Sequence, residues 1–91
     1  MSEDWDLIGF VISSQYRIAV LRQLVDGPAS PSMLADQSGH QISHISRALN
    51  ELRSRSLVEL LVPEDRKKGR IYGVTDQGAQ LWEEMDELNM V

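Results

Sequence analysis

Ninety-one residues without a cysteine make one small domain, 1–91, that neither a disulfide framework nor a thiolate metal site can staple, and whose core is limited by its size. A net charge of −5 argues against nucleic acid as a partner unless the charge is segregated, because exposed charges more than about 8 Å apart are largely screened at physiological salt. No apolar run approaches the ~20 residues that span a bilayer, and the acidic start lacks the positive region of a signal peptide, so a soluble cytoplasmic protein with no membrane partner is expected.

In chain order, Asp4 is a candidate cap for a short helix over 5–12, where Trp5, Leu7, Ile8, Phe10, Val11 and Ile12 leave only Asp6 charged. A segment apolar on all sides needs cover on all sides. Either the monomer core encloses it or a second subunit does, and a symmetric dimer is the reading favoured here. Ser13 and Ser14 are candidate caps for a core helix over 15–25, with Ile18, Leu21 and Val25 at helical spacing. Asp26-Gly27-Pro28 ends it. Ser30-Pro31 then starts a short helix over 31–37, serine as N-cap and proline where its missing N–H is no loss, and Gly39 turns the chain.

Residues 39–57 carry the functional signal. At about 100° per residue, Ile45, Leu49 and Leu52 share one stripe with Ala48 at its edge, while Ser43, Ser46, Arg47 and Asn50 share the opposite side. Hydroxyls, an amide and a guanidinium are the groups that reach phosphate oxygens and base edges in a DNA groove. Two helices joined at a glycine, the second with a polar outer face, form a helix-turn-helix. Strands over 57–62 and 70–74 follow, joined by Pro63-Glu-Asp-Arg-Lys-Lys-Gly69, a basic loop. A helix-turn-helix with a basic-tipped hairpin is a winged helix: an α+β domain, mainly α, with a two-stranded β-hairpin wing. Charge is segregated accordingly. Residues 47–70 carry seven bases against four acids, 1–46 two against five, and 71–91 five acids and no base. Thr75 and Asp76 open a last helix in which Leu81, Met85 and Leu88 form a stripe with Trp82 beside it.

Ser14-Gln-Tyr-Arg-Ile-Ala-Val-Leu, Ser43-His-Ile-Ser-Arg-Ala-Leu-Asn-Glu-Leu, Ser56-Leu-Val-Glu and Val74-Thr-Asp-Gln-Gly together resemble the winged-helix transcriptional regulators of prokaryotes, closest to compact archaeal members related to the MarR and ArsR groups. The resemblance spans roughly 13–84. It implies a homodimeric repressor or activator of nucleoid DNA, with a recognition helix over about 42–54 in the major groove and the wing 63–70 on the minor groove or backbone. Gln41 falls at the cap before that helix, where serine or threonine is commoner, so it is either a weak cap or a base contact. Ser43, Ser46 and Arg47 match positions that approach bases and phosphates, with Asn50 one turn on, His44 at the flank, and Arg66, Lys67, Lys68 and Arg70 in the wing. Terminal segments 1–12 and 79–91 supply the dimer interface in such proteins, here Trp5, Ile8, Ile12, Leu81, Trp82, Met85 and Leu88; the last helix otherwise covers its own core.

His40 and His44 stand at i and i+4, a spacing that two imidazoles on one metal can use, yet His40 precedes the helix and no cysteine supports the pair. No glycine-rich phosphate loop and no nucleophile beside a base is present, so neither enzyme nor cofactor is expected. So short a chain leaves little room for an effector pocket. The competing reading is a winged helix used for protein contact, with the N-terminal apolar segment as the docking face.

Overall fold

A computed structural model describes residues 4–66 and 68–91, with side chains from Trp5 onward. The chain runs α1 (Asp4–Ile12), α2 (Gln15–Leu24), α3 (Pro31–Ser38), α4 (Ile42–Ser54), β1 (Val58–Leu60), β2 (Tyr72–Val74) and α5 (Asp76–Glu87). This is the mainly helical winged helix that the sequence predicts.

Local chemistry starts most of these helices. Ser14 accepts from the Arg17 amide at 3.3 Å, Ser30 from the Met33 amide at 3.2 Å, and Thr75 from the Gly78 amide at 3.0 Å. Each satisfies one of the orphan donors in a first helical turn. Gly39 closes α3 in the left-handed conformation, φ 79°, with its amide donating to the Ala35 carbonyl at 3.0 Å. The end of α4 has no glycine: Ser56 takes φ 62°, and its amide donates to Arg53 while the Leu57 amide donates to Leu52.

Helix α2 packs against α1, α3, α4, β2 and α5, so it is covered on more sides than a simple stripe requires. Its fully enclosed residues are Val20, Leu21 and Leu24, and Ile18 and Val25 sit at the margin. Helix α4 buries Ile45, Ala48, Leu49 and Leu52 against this layer.

The strands pair antiparallel in the register Val58↔Val74, Glu59↔Gly73 and Leu60↔Tyr72. Each is three residues long, shorter than the sequence suggests. Beyond Leu60 the ladder adds one bond, from the Leu61 amide to the Ile71 carbonyl at 2.8 Å. Pro63 then has no amide to extend it. On the other edge of β2, Ala29 exchanges two backbone hydrogen bonds with Tyr72, at 3.0 and 2.9 Å, pinning the start of α3 to the base of the wing.

The terminal segments correct the expected interface set. Ile8, Leu81 and Met85 lie within the chain's own core, where α1 packs on α5, so they have no surface left for a partner. Trp5, Ile12 and Leu88 are exposed and Trp82 is half-buried.

Candidate nucleic-acid interface

The inward stripe of α4 fixes what its other side presents. Ser43, Ser46, Arg47 and Asn50 are all exposed, and none of their side chains makes a hydrogen bond or ion pair among the described residues. Ser46 and Asn50 line a groove of about 620 Å³, whose other walls are Ser30 and Ser32 at the start of α3 and Lys68 and Arg70 in the wing. Tyr72 also lines this groove, and it is held there by its bonds to Ala29. Arg47 and His44 line a smaller cleft of about 270 Å³ on the opposite flank of α4, with Tyr16, Arg17 and Glu51.

The wing cations divide into two kinds. Arg70 braces the loop: its Nε donates to the Arg66 carbonyl at 2.6 Å and its Nη2 to the Glu64 carbonyl at 3.0 Å. Arg66 and Lys68 are exposed, while Lys67 lies outside the described residues. Arg53, at the end of α4, reaches Glu64 at 3.2 Å and ties helix to wing. An ion pair this open contributes at most about 1 kcal/mol, so it orients the loop more than it stabilises the domain.

The histidines meet a tyrosine. His44 stacks on Tyr16 with ring centroids 4.5 Å apart and planes 8° from parallel, and His40 meets the same ring edge-on at 4.8 Å. Stacking holds His44 against α2 at the flank of the polar face.

Gln41 precedes α4 in extended geometry, φ −68° and ψ 145°, and its side chain makes no capping bond. Serine in its place is expected to add about 1 kcal/mol, which for a domain of this size raises the melting midpoint by roughly 4–8 °C. A thermal melt checks it, and an unchanged midpoint would mean that the first turn is already satisfied.

A profile of the HVO_A0261 N-terminal domain matches residues 5–91. The chain belongs to that family. No curated protein matches the sequence. Solved structures that match the fold include one described as a MarR-family transcriptional regulator from Enterococcus faecalis, with TM-score 0.80, 17% identity, and coverage of 94% of this chain and 79% of the other. Quinone-bound YodB from B. subtilis gives TM-score 0.77 at 18% identity, covering 94% and 91% of the two chains. A MarR-family regulator from Neisseria meningitidis gives 0.73 at 18% identity, covering 84% of this chain and 54% of its own length. This chain thus spans about half the length of some of the proteins whose fold it shares.

In this HVO_A0261-type domain eight of the ten sequence-derived residues fall into three places, while Arg66 is exposed in the wing loop outside both clefts and Lys67 lies outside the described residues. Ser46, Asn50, Lys68 and Arg70 share the groove, Arg47 and His44 share the cleft on the other flank, and Gln41 and Ser43 are exposed at the start of α4. Ser30, Ser32 and Ile42 also line the groove, and the sequence assigns none of them to the site: Ser30 is legible only as a helix cap. A half-buried N-cap serine, an exposed serine in the first turn of α3 and a lone isoleucine give no periodic signal. Their place depends on the Ala29–Tyr72 pairing, which joins segments far apart in the chain.

Proposed function

We propose that the protein is a sequence-specific regulator of transcription that binds duplex DNA as a homodimer, with α4 in the major groove and the wing on the minor groove or backbone. The observation that carries this reading is the polar face of α4, unpaired among the described residues, whose Ser46 and Asn50 stand across one groove from exposed Lys68 and the loop-bracing Arg70. Arg47 has the fork geometry that pairs with guanine, and such a contact discriminates by about 1–3 kcal/mol. Lys68 and Arg66, both exposed in the wing loop, would neutralise phosphates, and Lys67 is assigned the same role from its sequence position alone. Trp5, Ile12, Leu88 and Trp82 are the surface offered to a second copy, which would set two recognition helices about 34 Å apart on successive major grooves. The name of the matching family model, HVO_A0261, is what supports reading the chain as archaeal.

Anisotropy titration with random-sequence duplex DNA at two salt concentrations tests the reading, since binding through phosphates weakens steeply with salt. No affinity at low salt would overturn it in favour of a protein-docking module. Once a preferred site is known, Arg47→Ala should lose preference at one base pair. Lys68→Ala should weaken all sequences alike and lower the salt slope by about 1. Equal effects of the two substitutions would erase the division between reading and anchoring.

A further inference from the structure

We infer that Ile42 reads a thymine methyl group, making the wing-side groove selective for an A·T pair at the start of the recognition helix. This rests on the DNA reading above. Ile42 is the first residue of α4 and is 50% exposed, although it is one of the more hydrophobic side chains in the chain. It lies in the groove with Ser46 and Asn50, four and eight residues on along the same helical stripe. Lys68 and Arg70 face them across it.

Ile42 is the one aliphatic side chain on the α4 side of a groove that Pro31 and Tyr72 also line, and set among hydroxyls, an amide and cations it calls for a ligand with a negative rim and a small apolar feature. The major groove of duplex DNA has that composition: phosphates along its edges, polar base edges on its floor, and the thymine C5-methyl as its one apolar group. Position agrees with chemistry, because the N-terminal residues of a recognition helix are the ones that approach base edges. Gln41, exposed and not engaged as a cap, stands one residue earlier with an amide suited to the N6 and N7 atoms of adenine. An isoleucine with half its surface free and a glutamine with its amide free thus stand side by side, matching the two halves of one kind of base pair. A docking protein would instead have to cover Ile42 while leaving Lys68 and Arg70 opposed by acids of its own.

The test starts with the full chain selecting sites from a randomised duplex library. In the recovered site each thymine is then replaced singly by deoxyuridine, which removes only the methyl. Wild type should lose about four-fold in affinity at one thymine per half-site, the equivalent of one methyl-sized contact at about 0.8 kcal/mol. Ile42→Ser should bind the thymine and deoxyuridine duplexes equally, and Ile42→Val should keep most of the preference. Because Ile42 is exposed, both variants should melt near wild type, which separates loss of reading from loss of fold. Enrichment of no sequence overturns the DNA reading itself. An enriched site at which no deoxyuridine distinguishes wild type from Ile42→Ser overturns the thymine assignment alone.

Discussion

Gly78→Ala is expected to destabilise the domain by about 2 kcal/mol, lowering the melting midpoint by roughly 8–16 °C for a chain of this length. A β-carbon at Gly78 would stand far inside van der Waals contact of the Leu57 carbonyl oxygen and 2.8 Å from Cγ2 of Val74. Neither neighbour can give easily. The Leu57 carbonyl accepts from the Thr75 amide at 3.1 Å, and the Thr75 hydroxyl donates to the Ser56 carbonyl at 2.7 Å while accepting from the Gly78 amide. The first turn of α5 is therefore pinned to the start of β1, and only the absence of a side chain at Gly78 permits the approach. Alanine's better helix propensity, about 1 kcal/mol over glycine, offsets part of the clash but does not reverse it. Gly9→Ala is the matched control. Gly9 is also helical, but a β-carbon there meets nothing within 4 Å, so this substitution should stabilise by about 0.5–1 kcal/mol. Urea denaturation of the two variants decides the matter: opposite signs support the close approach, and a stabilised Gly78→Ala would show that α5 can shift off β1.

This contrast marks where sequence reading succeeds and where it stops. A cap is chemistry within three residues, so Ser14, Ser30 and Thr75 are legible as caps, whereas Gln41 reads from sequence as a weak cap or a base contact and the structure shows no capping bond. The polar and apolar faces of α4 follow from helical geometry alone. Periodicity tells which residues need cover but not what covers them, and for that reason Ile8, Leu81 and Met85 were assigned to a partner when their own chain encloses them. Phe10 shows the converse. Its ring lies between two guanidinium groups, Arg17 at 4.0 Å and Arg55 at 4.3 Å from the centroid, so charged side chains shield part of an apolar segment that the sequence left without cover. The resemblance sets Arg70 among the DNA-binding wing residues, and only the fold of the loop reveals the two backbone carbonyls it holds. The close approach at Gly78 had no sequence signal, since it joins an early turn of α5 to a carbonyl at the start of the wing.

Arg17→Met is expected to cost about 2 kcal/mol, although Arg17 lies outside the groove beside the wing and sits on the core helix α2. Its guanidinium joins three helices. Nε donates to Glu51 of α4 at 3.0 Å, Nη1 donates to the Phe10 carbonyl at 2.6 Å and to the Ser13 hydroxyl at 3.1 Å, and the group lies over the Phe10 ring. The Phe10 carbonyl is in the last turn of α1, which has no basic residue of its own, so Arg17 supplies the cation that a helix C-terminus favours. Side-chain exposure of 17% for Arg17 and 38% for Glu51 places the pair between an open surface contact and a buried one. Methionine keeps the stem's packing and removes the charge and all three donated bonds. Glu51→Gln should cost less, about 1 kcal/mol, because Arg17 retains its bonds to α1 and its place over Phe10. The two substitutions should therefore be less than additive in a double-mutant cycle; additivity within about 0.3 kcal/mol would show that the ion pair contributes nothing. Hydrogen exchange supplies the second readout. With its tie to α2 and α4 removed, α1 should exchange faster than the rest of the domain in Arg17→Met, while α4, held by Ile45, Leu49 and Leu52, keeps its protection. Uniformly faster exchange would mean that Arg17 contributes to global stability without fastening α1. A local effect makes it the link between the helix bearing Trp5 and Ile12 and the helix bearing the polar groove face.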